Sequence, residues 1–248
     1  MSVYFVSGID TGVGKTVATG LMARFLRSRG IDCITVKMVQ TGNVGFSEDL
    51  LEHRRLAGTG PLPEDAEGLT APQIFAFPSS PALSASLEGR TVDLGAIDRA
   101  VAECARRRRV VLVEGAGGLA VPLDDDTLAV DFAAARGWPL VLVTSGRLGA
   151  INHILLSLEA ALARGMRLAG VVQNFAPETD PRIDRDAEDR TRRFLRARGL
   201  PEALVRIPRL VPGAPPPSPD FSPLFPEVSE GPSAALPGGV SQRFQIAD

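Results

Sequence analysis

Long apolar runs are missing from this chain. None of its hydrophobic stretches approaches the roughly 18 residues that a membrane-spanning helix needs, so no membrane partner is expected. Cysteine is scarce. Cys33 and Cys104 are the only two, each inside an apolar pattern and neither with a partner at metal-ligand spacing. They read as small core residues. The chain opens on a strand-like pattern rather than a basic and then apolar leader, so a reducing cytoplasm is the expected location. No single sign of charge dominates either: 27 basic against 29 acidic residues give a formal net charge of −2, with no broad basic field to hold nucleic acid. The short run Arg106–Arg109 ends a helical pattern just ahead of a strand and reads as a helix C-terminus.

The strongest signal present is a strand, a glycine-bearing loop and a helix. Val3–Ser7 is apolar, Gly8-Ile9-Asp10-Thr11-Gly12-Val13-Gly14-Lys15-Thr16 follows, and a helical pattern starts at Val17. Such a loop turns its backbone N–H groups inward around a polyphosphate, and the helix adds its positive N-terminal end. Lys15 is placed to reach the β- and γ-phosphates and the Thr16 hydroxyl to bind Mg²⁺. Five residues separate Gly8 from Gly14 where the common template has four, but the preceding strand and following helix are in place. A nucleoside triphosphate is the expected ligand.

The hydrophobic fraction of 44% and charged fraction of 23% are those of a globular chain, long enough for one sizeable core. Apolar runs recur at Val3–Ser7, Cys33–Val36, Val110–Val113, Leu140–Val143, Leu168–Val172 and Leu204–Ile207. Helical patterns at Val17–Arg29, Leu94–Arg107, Ile151–Arg164 and Arg182–Arg198 separate most of them. Strands apolar on both faces, alternating with helices, predict an α/β fold: a doubly wound, mostly parallel sheet of the phosphate-loop NTPase type. Ligands in such sheets sit beyond the carboxyl ends of the strands. From Pro212 the composition turns rich in Pro, Gly and Ser, which predicts a domain over 1–211 and an extended or disordered tail over 212–248. The scattered Phe221, Leu224, Phe225 and Phe244 are candidates to dock that tail on the domain.

Two further strand ends carry candidate chemistry. Val110–Val113 runs into Glu114-Gly115-Ala116-Gly117-Gly118. In phosphate-loop enzymes an acid there faces Mg²⁺, and glycines let backbone approach a ligand closely. Thr35-Val36-Lys37 leads into Gln40-Thr41-Gly42, and Lys37 is expected to emerge from the second strand beside the first. Its ammonium there either meets charge developing on a transferred phosphoryl group or is exposed to solvent. Glu48-Asp49-Leu50 opens a short helical pattern, and Asp49 is either a second carboxylate near the metal or a first-turn acid.

Taken in order, these residues resemble the dethiobiotin synthetase family. Gly8 to Thr16 looks like that family's phosphate loop, extra residue included, and Lys37 with Gln40-Thr41-Gly42 looks like its catalytic lysine and substrate turn. Val113–Gly118 is similar to its acid-glycine signature. Gly146-Arg147-Leu148-Gly149-Ala150-Ile151-Asn152-His153 resembles the segment that reaches substrate across the family's dimer interface. Asn174 resembles its adenine reader, and Ile207-Pro208 its late nucleotide-contacting turn. The resemblance covers Met1 to about Val211.

It implies that Lys37, Lys15 and Thr11 are catalytic. Nucleotide contacts are implied for Gly12, Val13, Gly14, Lys15, Thr16, Val17, Asp49, Glu114, Gly115, Ala116 and Gly117, and for Asn174, Phe175, Ile207, Pro208 and Arg209. Substrate contacts are implied for Thr41, Gly117, Gly118, Leu148, Gly149 and Asn152, and Mg²⁺ contacts for Thr16, Asp49 and Glu114. The implied partners are 7,8-diaminononanoate, CO₂ and ATP as cosubstrate, in a homodimer with the substrate site at the interface. Two positions depart from the pattern. Ala82 follows Ser80-Pro81 where the family often has His, and Gly12 stands where some members carry Glu. His53 reads as a surface residue and His153 as a structural helix residue. An amidoligase of the cobyrinate type would append an amidotransferase domain with a nucleophilic Cys, and a partitioning ATPase would carry a second lysine early in the loop. Neither feature is present.

Overall fold

The computed structural model describes residues 1–175 and 179–227. β1 (Ser2–Gly8) runs into the phosphate loop and α1 (Lys15–Ser28) leaves it. β2 (Cys33–Lys37) and the short β3 (Gln40–Thr41) follow. An excursion of small elements comes next: α2 (Glu48–Ala57), α3 (Pro63–Ala66), β4 (Ile74–Phe75) and α4 (Pro81–Leu87). α5 (Leu94–Arg107) leads back to the sheet through β5 (Val110–Gly118). The chain then alternates through α6 (Ala129–Ala135), β6 (Leu140–Ser145), α7 (Ala150–Leu162), β7 (Leu168–Asn174), α8 (Pro181–Ala197) and β8 (Leu204–Ile207).

The six expected strands form one sheet in the order β2-β5-β1-β6-β7-β8, parallel throughout. Val110, Val111, Leu112 and Val113 are all buried although successive side chains point to opposite faces, so both faces of the sheet are covered. One placement differs from expectation. β2 does not lie beside β1, because β5 is inserted between them. Lys37 therefore pairs in register with Glu114 rather than with the phosphate-loop strand. Strand adjacency is a long-range property that no local pattern carries. The crossovers from β1 to β2 and from β5 to β6 move in opposite directions along the sheet, which makes the end of β1 the switch point where ligands settle.

Side-chain caps fix where several helices begin. Ser47 accepts from the Leu50 N–H at 3.2 Å and starts α2, and Asp93 accepts from Ala96 at 2.8 Å and starts α5. Each such cap is worth about 0.5–2 kcal/mol. β3 and β4 pair with each other in a separate parallel ribbon, too short to show any periodicity in the sequence.

The described part of the segment beyond 211, residues 212–227, has little regular structure and packs on the domain. Pro212–Pro217 borders Arg55 and Leu56 of α2, and Ser218 and Pro219 border α1. Phe221, Leu224 and Phe225 are each 0% exposed, and Ser222–Leu224 forms a 3₁₀ turn. Phe225 meets Tyr4 edge-to-face at 4.9 Å between ring centroids, and Phe221 meets Phe25 at 5.9 Å. Burial of three large apolar side chains outweighs the ordering of a few proline-restricted residues. Phe244, with 228–248, lies outside the described residues. No described helix is long and apolar enough to cross a membrane.

Candidate active site

The phosphate loop turns on two glycines with positive φ, Gly12 at 74° and Gly14 at 86°. At Gly14 a Cβ would also collide with the Asn174 amide, so no other residue fits there. The loop is held from three sides. The Asp10 carboxylate accepts from the Thr11 N–H at 2.7 Å and pairs with Arg147 from the loop before α7. Lys15 Nζ donates to the Asp10 carbonyl at 3.1 Å. Asn174, at the end of β7, donates its amide to the carbonyls of Val13 at 2.6 Å and Gly14 at 3.0 Å. Burial, helped by the Lys37 charge, pulls the Lys15 ammonium down to about 8, against the carboxylates of Glu114, Asp49 and Asp10.

Beside the loop, four predicted residues meet. Thr16 Oγ1 donates to Asp49 Oδ1 at 2.8 Å and lies 3.2 Å from Glu114 Oε1. Lys37 Nζ is 2.6 Å from Asp49 Oδ2, 2.8 Å from Glu114 Oε1 and 3.2 Å from the Gly115 carbonyl. Lys37 and Glu114 arrive together because β2 and β5 are paired. Asp49 arrives because the Ser47 cap, itself donating to Gln40 Oε1 at 2.6 Å, ties the first turn of α2 to the start of β3. Burial alone would lower the pKa of Lys37, but Glu114 and Asp49 hold it above its usual value. Burial would likewise raise Glu114, yet the Lys37 charge and hydrogen bonds from Lys37 and His53 hold it well below the carboxylate range.

The cluster is a set of hard oxygen donors with a compensating ammonium. It suits a small divalent cation that takes its remaining oxygens from a bound nucleotide. Among the described residues, no group of three or more His, Cys, Asp or Glu side chains forms a metal cage. Two carboxylates and one hydroxyl are too few to chelate the ion alone.

A cleft of about 410 Å³ continues from the loop. Gly12, Val13, Gly14, Val17, Asn174, Phe175, Pro208 and Arg209 line it, together with Ser145, Arg147 and Leu210, which were not expected there. Ile207 is buried behind it and accepts from the Phe175 N–H at 3.0 Å. A second cleft, of about 500 Å³, opens on the other side of the loop between Thr11, Gly118 and α7. Gly117, with φ 63°, holds a backbone conformation that favours glycine, and a Cβ there would also press on Val121 at 2.8 Å. Ala116 is buried at the end of β5 and Thr41 is half-buried in β3. Leu148, Gly149 and Asn152 are exposed at the start of α7, Leu148 at 81%.

His53 is a correction. Expected at the surface, it is 0% exposed and in contact with Glu114. Its spacing holds the missed signal. Position 53 is one helical turn from Asp49 and shares its face. His153 is exposed, as is Arg107, which pairs with Glu67 and Glu103 at the end of α5. Cys33 and Cys104 are buried, which pushes their thiols up to about 12 and about 11 and leaves them inert.

A family model described as an AAA domain matches residues 2–216. The chain is 41% identical over 209 residues to the ATP-dependent dethiobiotin synthetase BioD 2 of Pasteurella multocida, covering 84% of this chain and 98% of that one. It is 46% identical over 178 residues to the protein of the same name from Haemophilus influenzae, covering 72% and 93%. The ATP-dependent dethiobiotin synthetase BioD of Chlorobaculum tepidum is 45% identical over 200 residues, covering 81% and 84%.

Proposed function

The chain belongs to the ATP-dependent dethiobiotin synthetase family of ligases, and from that premise we propose that it closes the ureido ring of dethiobiotin from 7,8-diaminononanoate, CO₂ and ATP. The observation that carries this reading is the convergence of Lys37, Asp49, Glu114 and Thr16 beside the phosphate loop. In the proposed sequence one amine of the substrate takes up CO₂ and loses a proton to give a carbamate. A carbamate oxygen attacks the γ-phosphorus of ATP and ADP leaves. The second amine then attacks the carbonyl carbon of the mixed anhydride, gives up a proton to solvent or to the departing phosphate, and phosphate leaves as the ring closes.

The task set by this chemistry is to hold two anions together. Lys15 and Lys37 supply positive charge at the junction of carbamate and γ-phosphate, and the loop N–H groups fix the phosphates in line. Thr16, Asp49 and Glu114 would hold Mg²⁺, which supplies charge neutralisation to the phosphates. The phosphoryl-transfer step needs no general-base histidine, since the carbamate already carries its negative charge. The cleft at Asn174 suits the base and ribose. The cleft at Thr11 and Gly118 suits the diamine. Leu148, Gly149 and Asn152 complete it from a second copy in a homodimer, where the start of α7 offers N–H groups and an amide to the substrate carboxylate. Two inert, unpaired cysteines fit a cytoplasmic location.

The deciding experiment measures phosphate release from ATP with diamine and bicarbonate added singly and together. Release that requires both supports the reading. Release indifferent to the diamine overturns it.

A further inference from the structure

His53 is buried one turn along α2 from Asp49, and neither ring nitrogen is idle. Nε2 lies 2.6 Å from Glu114 Oε2, and Nδ1 lies 3.1 Å from Thr35 Oγ1. Thr35 Oγ1 already accepts from Arg54 Nη1 at 2.7 Å, and Arg54 is held in turn by Asp65 through two hydrogen bonds of 3.0 and 2.6 Å. The direction of each bond follows from what each group can do. An ionised carboxylate only accepts, so the proton between His53 and Glu114 sits on Nε2. The Thr35 oxygen, filled on one side by Arg54, has one hydroxyl proton to give, and Nδ1 is the acceptor in reach.

The two oxygens of Glu114 are thereby divided. Oε2 is taken by His53, while Oε1 faces Lys37 and Thr16. We propose that His53 is a positioning residue that locks Oε2 of Glu114, so that the carboxylate presents Oε1 alone to the cation–nucleotide complex and to Lys37. The side chain touches no reacting atom. It acts through Glu114, in the way that an outer hydrogen-bond partner orients a ligand and tunes its affinity. Arg54 and Thr35 complete the support, which runs back to Asp65 at the edge of the α2–α3 excursion.

This inference rests on the reading of Thr16, Asp49 and Glu114 as the Mg²⁺ side of the site, and the test separates the two. Mn²⁺ binding to the full chain is followed by electron paramagnetic resonance, with and without a non-hydrolysable ATP analogue. The wild type is compared with His53→Gln, whose amide nitrogen matches the reach of Nε2, and with His53→Leu, which has no donor. His53→Leu is expected to weaken nucleotide-dependent Mn²⁺ binding about 10–100-fold, and His53→Gln to restore most of it. Equal affinity in a folded His53→Leu chain overturns the positioning role. If the wild type itself binds no Mn²⁺ with nucleotide, the metal reading fails independently. Nitrogen-15 resonance of the wild-type His53 ring gives a readout that needs no variant to fold. A directly bonded proton on Nε2 supports the arrangement, and an unprotonated Nε2 overturns it.

Discussion

Lys37 and Glu114 stand opposite each other in the register of β2 and β5, with Nζ 2.8 Å from Oε1. Lys37→Ala removes the ammonium that bridges Glu114 and Asp49, which is also the charge proposed to meet the transferred phosphoryl group. Turnover is expected to fall by about 10²–10³, with the chain still folded. Steady-state kinetics beside a circular dichroism melt checks this. Near-native turnover would remove Lys37 from the catalytic set.

Asn174 ties the end of β7 to the phosphate loop through two carbonyls. Asn174→Ala loses both bonds and leaves the buried Val13 carbonyl without that partner. Nucleotide affinity is expected to fall about tenfold, from the usual worth of one to two hydrogen bonds. Calorimetric titration measures it, and an unchanged dissociation constant would limit Asn174 to a passive wall.

Shared sites in a dimer make a sharper claim. Asn152→Ala and Lys37→Ala chains, each inactive alone, are mixed and allowed to exchange subunits. One site of each hybrid collects both lesions and the other is whole, so about a quarter of wild-type sites should return. Confirmed exchange without recovered activity counts against the shared site.

The Asp65 carboxyl accepts from Arg54, from Thr70 at 2.7 Å and from the Leu62 N–H at 2.8 Å. Partial burial would raise its pKa, but the Arg54, Leu62 and Thr70 bonds outweigh that and depress it. A depressed carboxyl stabilises the fold fully above its unfolded value of about 4 and loses that contribution as pH falls through the lower folded value. Asp65→Asn should therefore cost about 1–3 kcal/mol at neutral pH, with the gap to wild type closing below about pH 4. Urea unfolding across that range is the measurement. A gap constant with pH would show that the ionised form is not what stabilises.

The segment beyond 211 supplies a stability test. Phe221 is fully buried against Phe25, and Phe221→Ala is expected to cost about 3–5 kcal/mol, as for other buried Phe truncations. Thermal unfolding decides it. A loss below about 1 kcal/mol would mean that the segment contributes little to the core.

Much of this architecture is legible in the sequence, because periodicity and strand-end chemistry are local. β1, the glycine loop and α1 can be read from Val3 to Arg29 alone, and Glu114 announces itself as an acid between an apolar run and glycines. The order of strands is not local, so the pairing of Lys37 with Glu114 emerges only when β5 is seen between β1 and β2. His53 escapes because its partners, Thr35 and Glu114, are remote in sequence, although its spacing from Asp49 is helical. Phe221, Leu224 and Phe225 stand out in the sequence as docking candidates, but their seats against Phe25 and Tyr4 do not, since those partners are remote in sequence.

The edge-to-face contact between Tyr4 and Phe225 has a consequence for synthesis. A ribosome delivers the first of these rings long before the second. Until residue 225 has left the exit tunnel, β1 carries an uncovered aromatic beside an incomplete sheet. The packing that covers this face of β1 is therefore completed only late in translation, by a contact that spans nearly the whole described length.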